Sequence, residues 1–416
     1  MFLKECRQVM KNITYLVFVV VLIIFGYTQI ASEFVKIEKP QQGLESYGTK
    51  YEEKPEIIMP NAVKNLYREY AANSYTAYPV GFYKNVKLNN KQQLEMAEIL
   101  SKLTGISVDK LSASAGVAAV GKTAPDKQGS KEPPIILEVT VYENLSYEQF
   151  SCLMERTDKM IGGGSKYGDT YLKRFGKMSM TYEDALFEYN AIIEKDRITG
   201  AYARLFCDYF GIVIGIFPVF LAVSSGMKDR RVGMQEIIYT RKASSFKVIF
   251  TRYISMVIMM FLPVLLMAIY TSFQVVGKYS GFNIDKLAFV KYSFGWLLPT
   301  LMVSAAVGTF LTELTDTPIA IVVQGLWWFI GLFAGMKHMD GGYGTDLVLR
   351  HNQIGRTQTY LDNFPVLLIN RMAYTIFALI IILFAVWIYE MKRRGKLNAN
   401  FGFEKVFSHR SGKCKA

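Results

Sequence analysis

Gly116-Val-Ala-Ala-Val-Gly121-Lys122-Thr123 is the one stretch of this chain whose residue types and spacing spell out a chemistry. It fits G-x-x-x-x-G-K-[ST], a loop in which backbone amides and a helix N-terminus after a buried strand wrap the phosphates of a nucleotide. Its surroundings lack those parts. Leu111–Ala115 is small and polar rather than a buried strand, Pro125 follows two residues after the motif, and Lys122–Pro134 is a polar, Pro-rich linker. The match is read as chance, and no nucleotide site is expected there.

Other reactive groups are sparse. His338, His351 and His409 are the only histidines; Asp340 and Asp346 lie near the first two, but at no metal-ligand spacing, so all three read as surface residues and no metal is expected. Cys6, Cys152, Cys207 and Cys414 show no pattern that demands a disulfide. No nucleophile–base set can be assembled, so no catalytic residue is assigned. No apolar segment carries the paired acids of a proton-driven carrier. An Asp208–Arg371 pair would offset the cost of burying either charge. Snorkelling of each to the membrane interface is the alternative.

The elements that hold these residues are mostly apolar. Ile13–Ala31 has no charge and is long enough to cross about 30 Å of hydrocarbon. Comparable segments recur at about 205–225, 253–276, 292–311, 318–336 and 366–389. The first segment exceeds a signal-peptide core, and Gln29-Ile30-Ala31-Ser32 is a poor cleavage site, so an uncleaved anchor is expected. The net charge of +13 is unevenly spread. Residues 1–12 are basic, loop 226–252 has seven basic residues against Asp229 and Glu236, and the tail 390–416 has eight against Glu390 and Glu404. The long segment 33–203 is close to neutral. Basic and neutral segments alternate across the six spans, which puts both termini in the cytoplasm of a plasma-membrane protein and 32–203 outside. The basic patches need no nucleic acid.

The expected fold is a polytopic α-helical membrane protein of six transmembrane helices, with a mixed α/β external domain inserted between the first and second. Residues 1–12 read as a cytoplasmic amphipathic segment, 13–31 as the first span, 204–389 as a five-helix membrane domain and 390–416 as a basic tail. In the external domain, Gln92–Leu103 has helical periodicity and Ile135–Tyr142 reads as a strand. Ser146 with Gln149, and Thr181 with Asp184, open two helices as capping boxes. The helix from about 182 has no strong breaker before the second span except Gly200, so the two are expected to run together. Gly211 with Gly215, and Gly331 with Gly335, match the small-xxx-small pattern and predict close packing of spans two and five.

Residues 224–258, SSGMKDRRVGMQEIIYTRKASSFKVIFTRYISMVI, contain Arg230-Arg231, Gly233, Glu236, Ile237-Ile238 and Ser244-Ser245 before an apolar span. This loop resembles that of the ABC-type 2 exporter permeases of type V architecture, whose second and third spans are joined by R-x-x-G-x-x-E, apolar residues and a small-residue turn. Phe364–Gly395 is similar to the last span of many members, and Gly308–Gly331 to their fourth and fifth. The resemblance omits the external domain.

The resemblance implies that Val232–Tyr239 is a coupling helix inserted into a separate ABC ATPase subunit, with Arg231, Gly233, Met234, Glu236, Ile237 and Ile238 at the contact. The periodicity agrees in putting Met234, Ile237 and Ile238 on one face. A second permease subunit, identical or related, would complete the complex, with spans two and five, and residues such as Gln324, along the path. ATP and Mg would be held by the partner, this chain binding no cofactor itself and having no ATPase activity. The family's re-entrant gate helices would correspond to 337–363, although GGYGTDLVLRHNQIGRTQ is weakly apolar for that role. Alternatives are a sensory or resistance complex using the external domain as receptor, and a membrane-embedded enzyme relying on residues such as Gln324.

Overall fold

The computed structural model describes residues 1–30, 36–79, 83–114, 139–240, 242–335, 342–351 and 353–397. The glycine-rich motif 116–123, His338, Asp340, His409 and Cys414 lie outside them, as do the side chain of Glu236 and the packing around Gly335. The chain divides into two compact units, Met1–Lys39 with Leu186–Ala416, and Pro40–Ala185.

The first unit begins with α1 (Phe2–Met10) and α2 (Ile13–Ile30). α1 is amphipathic, burying Cys6 and Val9 while Leu3 and Met10 stay exposed. The second unit holds β1 (Thr49–Tyr51), α3 (Pro55–Ala71), β2 (Tyr75–Ala77), β3 (Lys84–Val86), α4 (Asn90–Thr104), α5 (Val108–Ser114), α6 (Tyr147–Ile161), α7 (Asp169–Leu172) and β4 (Lys177–Ser179). Its strands form two small antiparallel ladders, β1 with β4 (Thr49 opposite Ser179) and β2 with β3 (Tyr75 opposite Val86). Helices supply the core: Ile58, Leu66, Met96, Leu100, Phe150 and Met154 pack around Tyr75 and Tyr167.

Three local expectations are met. α4 covers the predicted helix, Ser146 and Gln149 form a reciprocal capping box, and Thr181 and Asp184 exchange backbone-to-side-chain bonds of 3.0 and 3.2 Å. The predicted strand is not found in its described part. Residues 139–142 join no ladder; the Tyr142 N–H instead donates to Leu103 O at 2.9 Å, and Val139 and Val141 pack on the core. Residues 135–138 lie outside the description.

α8 (Tyr182–Glu194) leads to α9 (Thr199–Arg231), but the two do not run together. Arg197 and Ile198 adopt φ of 50° and 60°, a left-handed step that breaks the helix ahead of Gly200. The second stretch of the first unit begins at Leu186, inside α8 and ahead of that break. α10 (Gln235–Tyr239), α11 (Ser245–Lys278), α12 (Ala288–Tyr292), a π-turn (Ser293–Leu297), α13 (Leu298–Thr315), α14 (Ile319–Gly335) and α15 (Thr357–Arg393) complete it. The π-turn immediately precedes Pro299, whose missing N–H and ring disturb the regular ladder.

Among the described residues, five helical segments are long and apolar enough to cross a membrane: α2, α9, α11, α12 through α13, and α15. α14 is equally apolar but has 17 residues, about 25 Å at 1.5 Å per residue. This is the architecture of a polytopic helical membrane protein. α9 is the central member, packing against α2, α11, α13 and α14. Its approach to α13 is close because Gly308 leaves room for Ala222: a Cβ there would stand 2.6 Å from the alanine methyl.

Candidate functional site

Three polar constructions stand out in the apolar unit, and α9 contributes to each. The first lies at its C-terminal end. Gly233, at φ +65°, accepts the left-handed position that ends the helix, with Gly233 N–H donating to Arg230 O and Met234 N–H to Asp229 O, both at 3.0 Å. Residues 232–234 are thus a turn, and the expected helix over Val232–Tyr239 shortens to α10, Gln235–Tyr239. Val232, Met234 and Ile237 are exposed, at 65%, 48% and 57%, as is Arg231, whereas Ile238 turns partly inward. The expected single face of Met234, Ile237 and Ile238 is therefore split.

This apolar turn sits on a rigid base. Arg393 of α15 donates to Tyr239 O at 2.9 Å and Ala243 O at 2.7 Å, and the Tyr239 and Tyr389 rings meet edge-on at 5.3 Å. Ser245 bonds Glu390. Arg230 donates to Thr312 O at 2.9 Å and pairs with Glu313 and Asp316, while Lys392 reaches Asp316 at 2.6 Å. The last turns of α9, α13 and α15 are thereby joined by ions. The acidic turn 312–317 between basic loops was the sequence signal for this cluster.

The second construction lies at the middle of α9. Pro218 withdraws the N–H that Ile214 O would accept. From α14, Trp328 Nε1 donates to Ile212 O at 2.8 Å and Gln324 Nε2 to Gly215 O at 2.7 Å. The expected pairing of spans two and five is present. Its geometry differs from a glycine-on-glycine contact: a Cβ on Gly215 would meet Val348 at 2.6 Å and Trp328 at 2.9 Å, one on Gly211 would meet Val348 at 3.6 Å, and one on Gly331 would meet none of the described residues within 4 Å. Gln324 is fully buried, and its Oε1 has no partner among the described residues.

Val348 belongs to the third construction, a loop with no helix in its described residues 342–351. Gly342 N–H donates to Arg350 O at 2.7 Å, closing a hairpin-like path whose Leu347, Val348 and Leu349 are buried. Because Val348 touches Gly215, midway between Thr199 and Arg231, this loop enters the helix bundle to mid-length. Irregular backbone at such depth is tolerated only where protein groups satisfy its carbonyls. Here they do. Asn370 donates to Gly344 O and, at 3.2 Å, to Asp346 O; Tyr374 donates to Thr345 O; Thr300 donates to Leu347 O at 3.0 Å. Arg371 donates to Asp346 O and Leu347 O, both at 3.2 Å, to Trp296 O at 3.0 Å and to Thr300 Oγ1 at 2.7 Å. An irregular loop thus enters the bundle in the segment that the resemblance would assign to gate helices. It is irregular rather than helical, because its side-chain collars replace the helical ladder.

The expected Asp208–Arg371 pair does not form. Asp208 accepts from Arg350 Nε at 2.6 Å and from His351 N–H at 3.0 Å, while the Arg371 guanidinium is occupied by loop carbonyls. Arg204 pairs instead with Asp196, which also accepts from Thr357 Oγ1 at 2.5 Å, and it lies 4.7 Å above the Tyr360 ring. Neither Arg204 nor Arg371 snorkels; both are buried.

His351 is likewise no surface residue, being 1% exposed. Its ring is enclosed between the Tyr343 hydroxyl and the Gly355 carbonyl. Gly355 O can only accept, so Nε2–H donates to it at 2.9 Å, while Nδ1 meets the Tyr343 hydroxyl. In the sequence, Leu347-Val348-Leu349 is an apolar run that ends in Arg350-His351, and neither polar residue carries a local mark of its partners.

No family model, curated protein or solved structure matches this chain.

Proposed function

We propose that this chain is the membrane permease subunit of an ATP-driven exporter, powered by a separate ABC ATPase that docks on residues 231–238. In this reading α14 counts as the fifth of six spans. Both termini and the α10 turn face the cytoplasm, residues 40–185 lie outside, and a second permease subunit completes the assembly. ATP and Mg belong to the ATPase.

The observation that carries the reading is the α10 turn: Val232, Met234 and Ile237 are held in solvent by a loop stapled to α15 through Arg393. Apolar side chains in water on a firmly anchored turn are what a docking partner would cover. A push there would pass through Arg230, Asp316 and Lys392 into α9, α13 and α15 together. The re-entrant loop and the Pro218 bend lie along the same helix and could respond to its movement.

The test is Met234→Asp with Ile237→Asp in the full chain. Membrane insertion is expected to be unchanged, while the ATPase that co-purifies with the wild-type protein is lost. Undiminished co-purification rejects the docking assignment. Labelling of a cysteine at 237 from the side that exposes residues 40–185 rejects the topology as well.

A further inference from the structure

A cavity of about 360 Å³ lies between α1, the start of α2, the last turn of α9 and α11. Its walls carry Lys11, Lys228, Arg231 and Arg252 against two acids, Glu5 and Asp229. Arg252 takes both acids, Asp229 at 2.5 Å and Glu5 at 4.0 Å. Lys11, Lys228 and Arg231 have no ion pair among the described residues, and with four cations against two acids the cavity carries an excess of two positive charges. Asn12 lines it too, bonded to Ser224 Oγ at 2.9 Å, which joins the α1–α2 corner to α9.

The depth of this cavity is fixed by its own residues. Lys11 and Asn12 immediately precede the uncharged α2, and Lys228 and Arg231 close the apolar α9. The cations therefore sit at the water-facing boundary of the apolar belt, level with lipid headgroups. In α2, which begins at the residue after Asn12, Ile13, Leu16, Val17 and Val20 are exposed. An acyl chain whose headgroup entered the cavity would run along them.

We propose that this cavity binds the phosphate headgroup of an anionic phospholipid from the adjoining leaflet, its acyl chains lying on the exposed face of α2. Lys11, Lys228 and Arg231 contact the phosphate, while Arg252 is held aside by Asp229. The inference requires membrane insertion but not the exporter reading.

The experiment is native mass spectrometry of the full chain with equimolar phosphatidylglycerol and phosphatidylcholine of identical acyl chains. A cation at a headgroup favours the anionic lipid by about fivefold, so the wild type is expected to retain phosphatidylglycerol at least about fivefold better. Lys11→Gln with Lys228→Gln is expected to bring the two lipids close to parity. The charge-matched control Lys84→Gln with Lys87→Gln, both on the surface of the other unit, keeps the preference. Equal retention by the wild type, an undiminished preference in the cavity variant, or an equal loss in the control overturns the proposal. Inorganic phosphate that displaces phosphatidylglycerol at matched concentration assigns the site to a soluble anion and overturns the lipid source. Where the double variant melts below the wild type, Lys228→Gln alone is read, with an intermediate preference expected.

Discussion

Arg371 shows how much one buried side chain can organise. Its guanidinium serves the carbonyls of Trp296, Asp346 and Leu347 and the hydroxyl of Thr300, and it lies 5.6 Å from the centre of the Tyr374 ring. Removing it leaves buried carbonyls without donors in an apolar bundle, a loss on the order of 3 kcal/mol. Arg371→Leu is expected to lower the melting temperature of the detergent-solubilised protein substantially. Arg371→Lys keeps the charge but not the planar fork, so it falls between. A lysine variant as stable as wild type would mean that charge, not geometry, matters here. The sequence marked Arg371 and Asp208 as costly intramembrane charges, and both are indeed buried. It could not name their partners, since Arg350 and the 344–347 carbonyls come from a loop more than twenty residues upstream of Arg371 and more than a hundred downstream of Asp208. His351 was misread for the same reason: a lone histidine carries no mark of the tyrosine and carbonyl that enclose it.

At the scale of elements, patterns that are local in the chain were legible. The capping boxes at Ser146 and Thr181 and the apolar runs of α2 and α9 depend on neighbours within a few residues. The boundary between α8 and α9 was not legible, because two non-glycine residues take left-handed backbone there. The glycine pairs were half legible. A small-xxx-small pattern reports that a helix surface is shallow, but not which way it faces: at Gly331 of α14 a Cβ would meet none of the described residues within 4 Å, while the shallow surface of α9 receives Trp328 and Val348. This difference makes a paired prediction. Gly215→Leu must displace both neighbours and is expected to cost about 2 kcal/mol. Gly331→Ala adds only a Cβ, which meets none of the described residues within 4 Å, and gains helix propensity, so it is expected to be neutral or slightly stabilising. Chemical denaturation of the two variants compares them directly, and equal losses would show that the α9–α14 contact is not specific.

For the molecule as a whole, the division into two compact units sets the next question. Residues 40–185 have their own core, built around Tyr75 and Tyr167, and their own charge clusters: Lys50 joins Glu52 at 2.8 Å and Asp184 at 2.9 Å. That core predicts that the segment folds without lipid. Its pH response should carry the mark of Glu69, whose carboxylate accepts from Tyr167 Oη at 2.8 Å and whose pKa burial raises above its ordinary 4.5. A carboxyl with a raised folded pKa contributes stability at low pH and loses it as pH rises through the folded value. Glu52 and Asp184, held below their ordinary values by Lys50 and by the Thr181 backbone, act oppositely and only at more acid pH. The isolated segment 40–185 is therefore expected to melt cooperatively in aqueous buffer, with a melting temperature that declines as pH rises above about 4.5 towards neutrality. Glu69→Gln should flatten that decline while leaving the acid limb in place. A decline that persists in the glutamine variant would remove Glu69 as its source, and a segment that aggregates without cooperative melting would show that this core needs the rest of the chain.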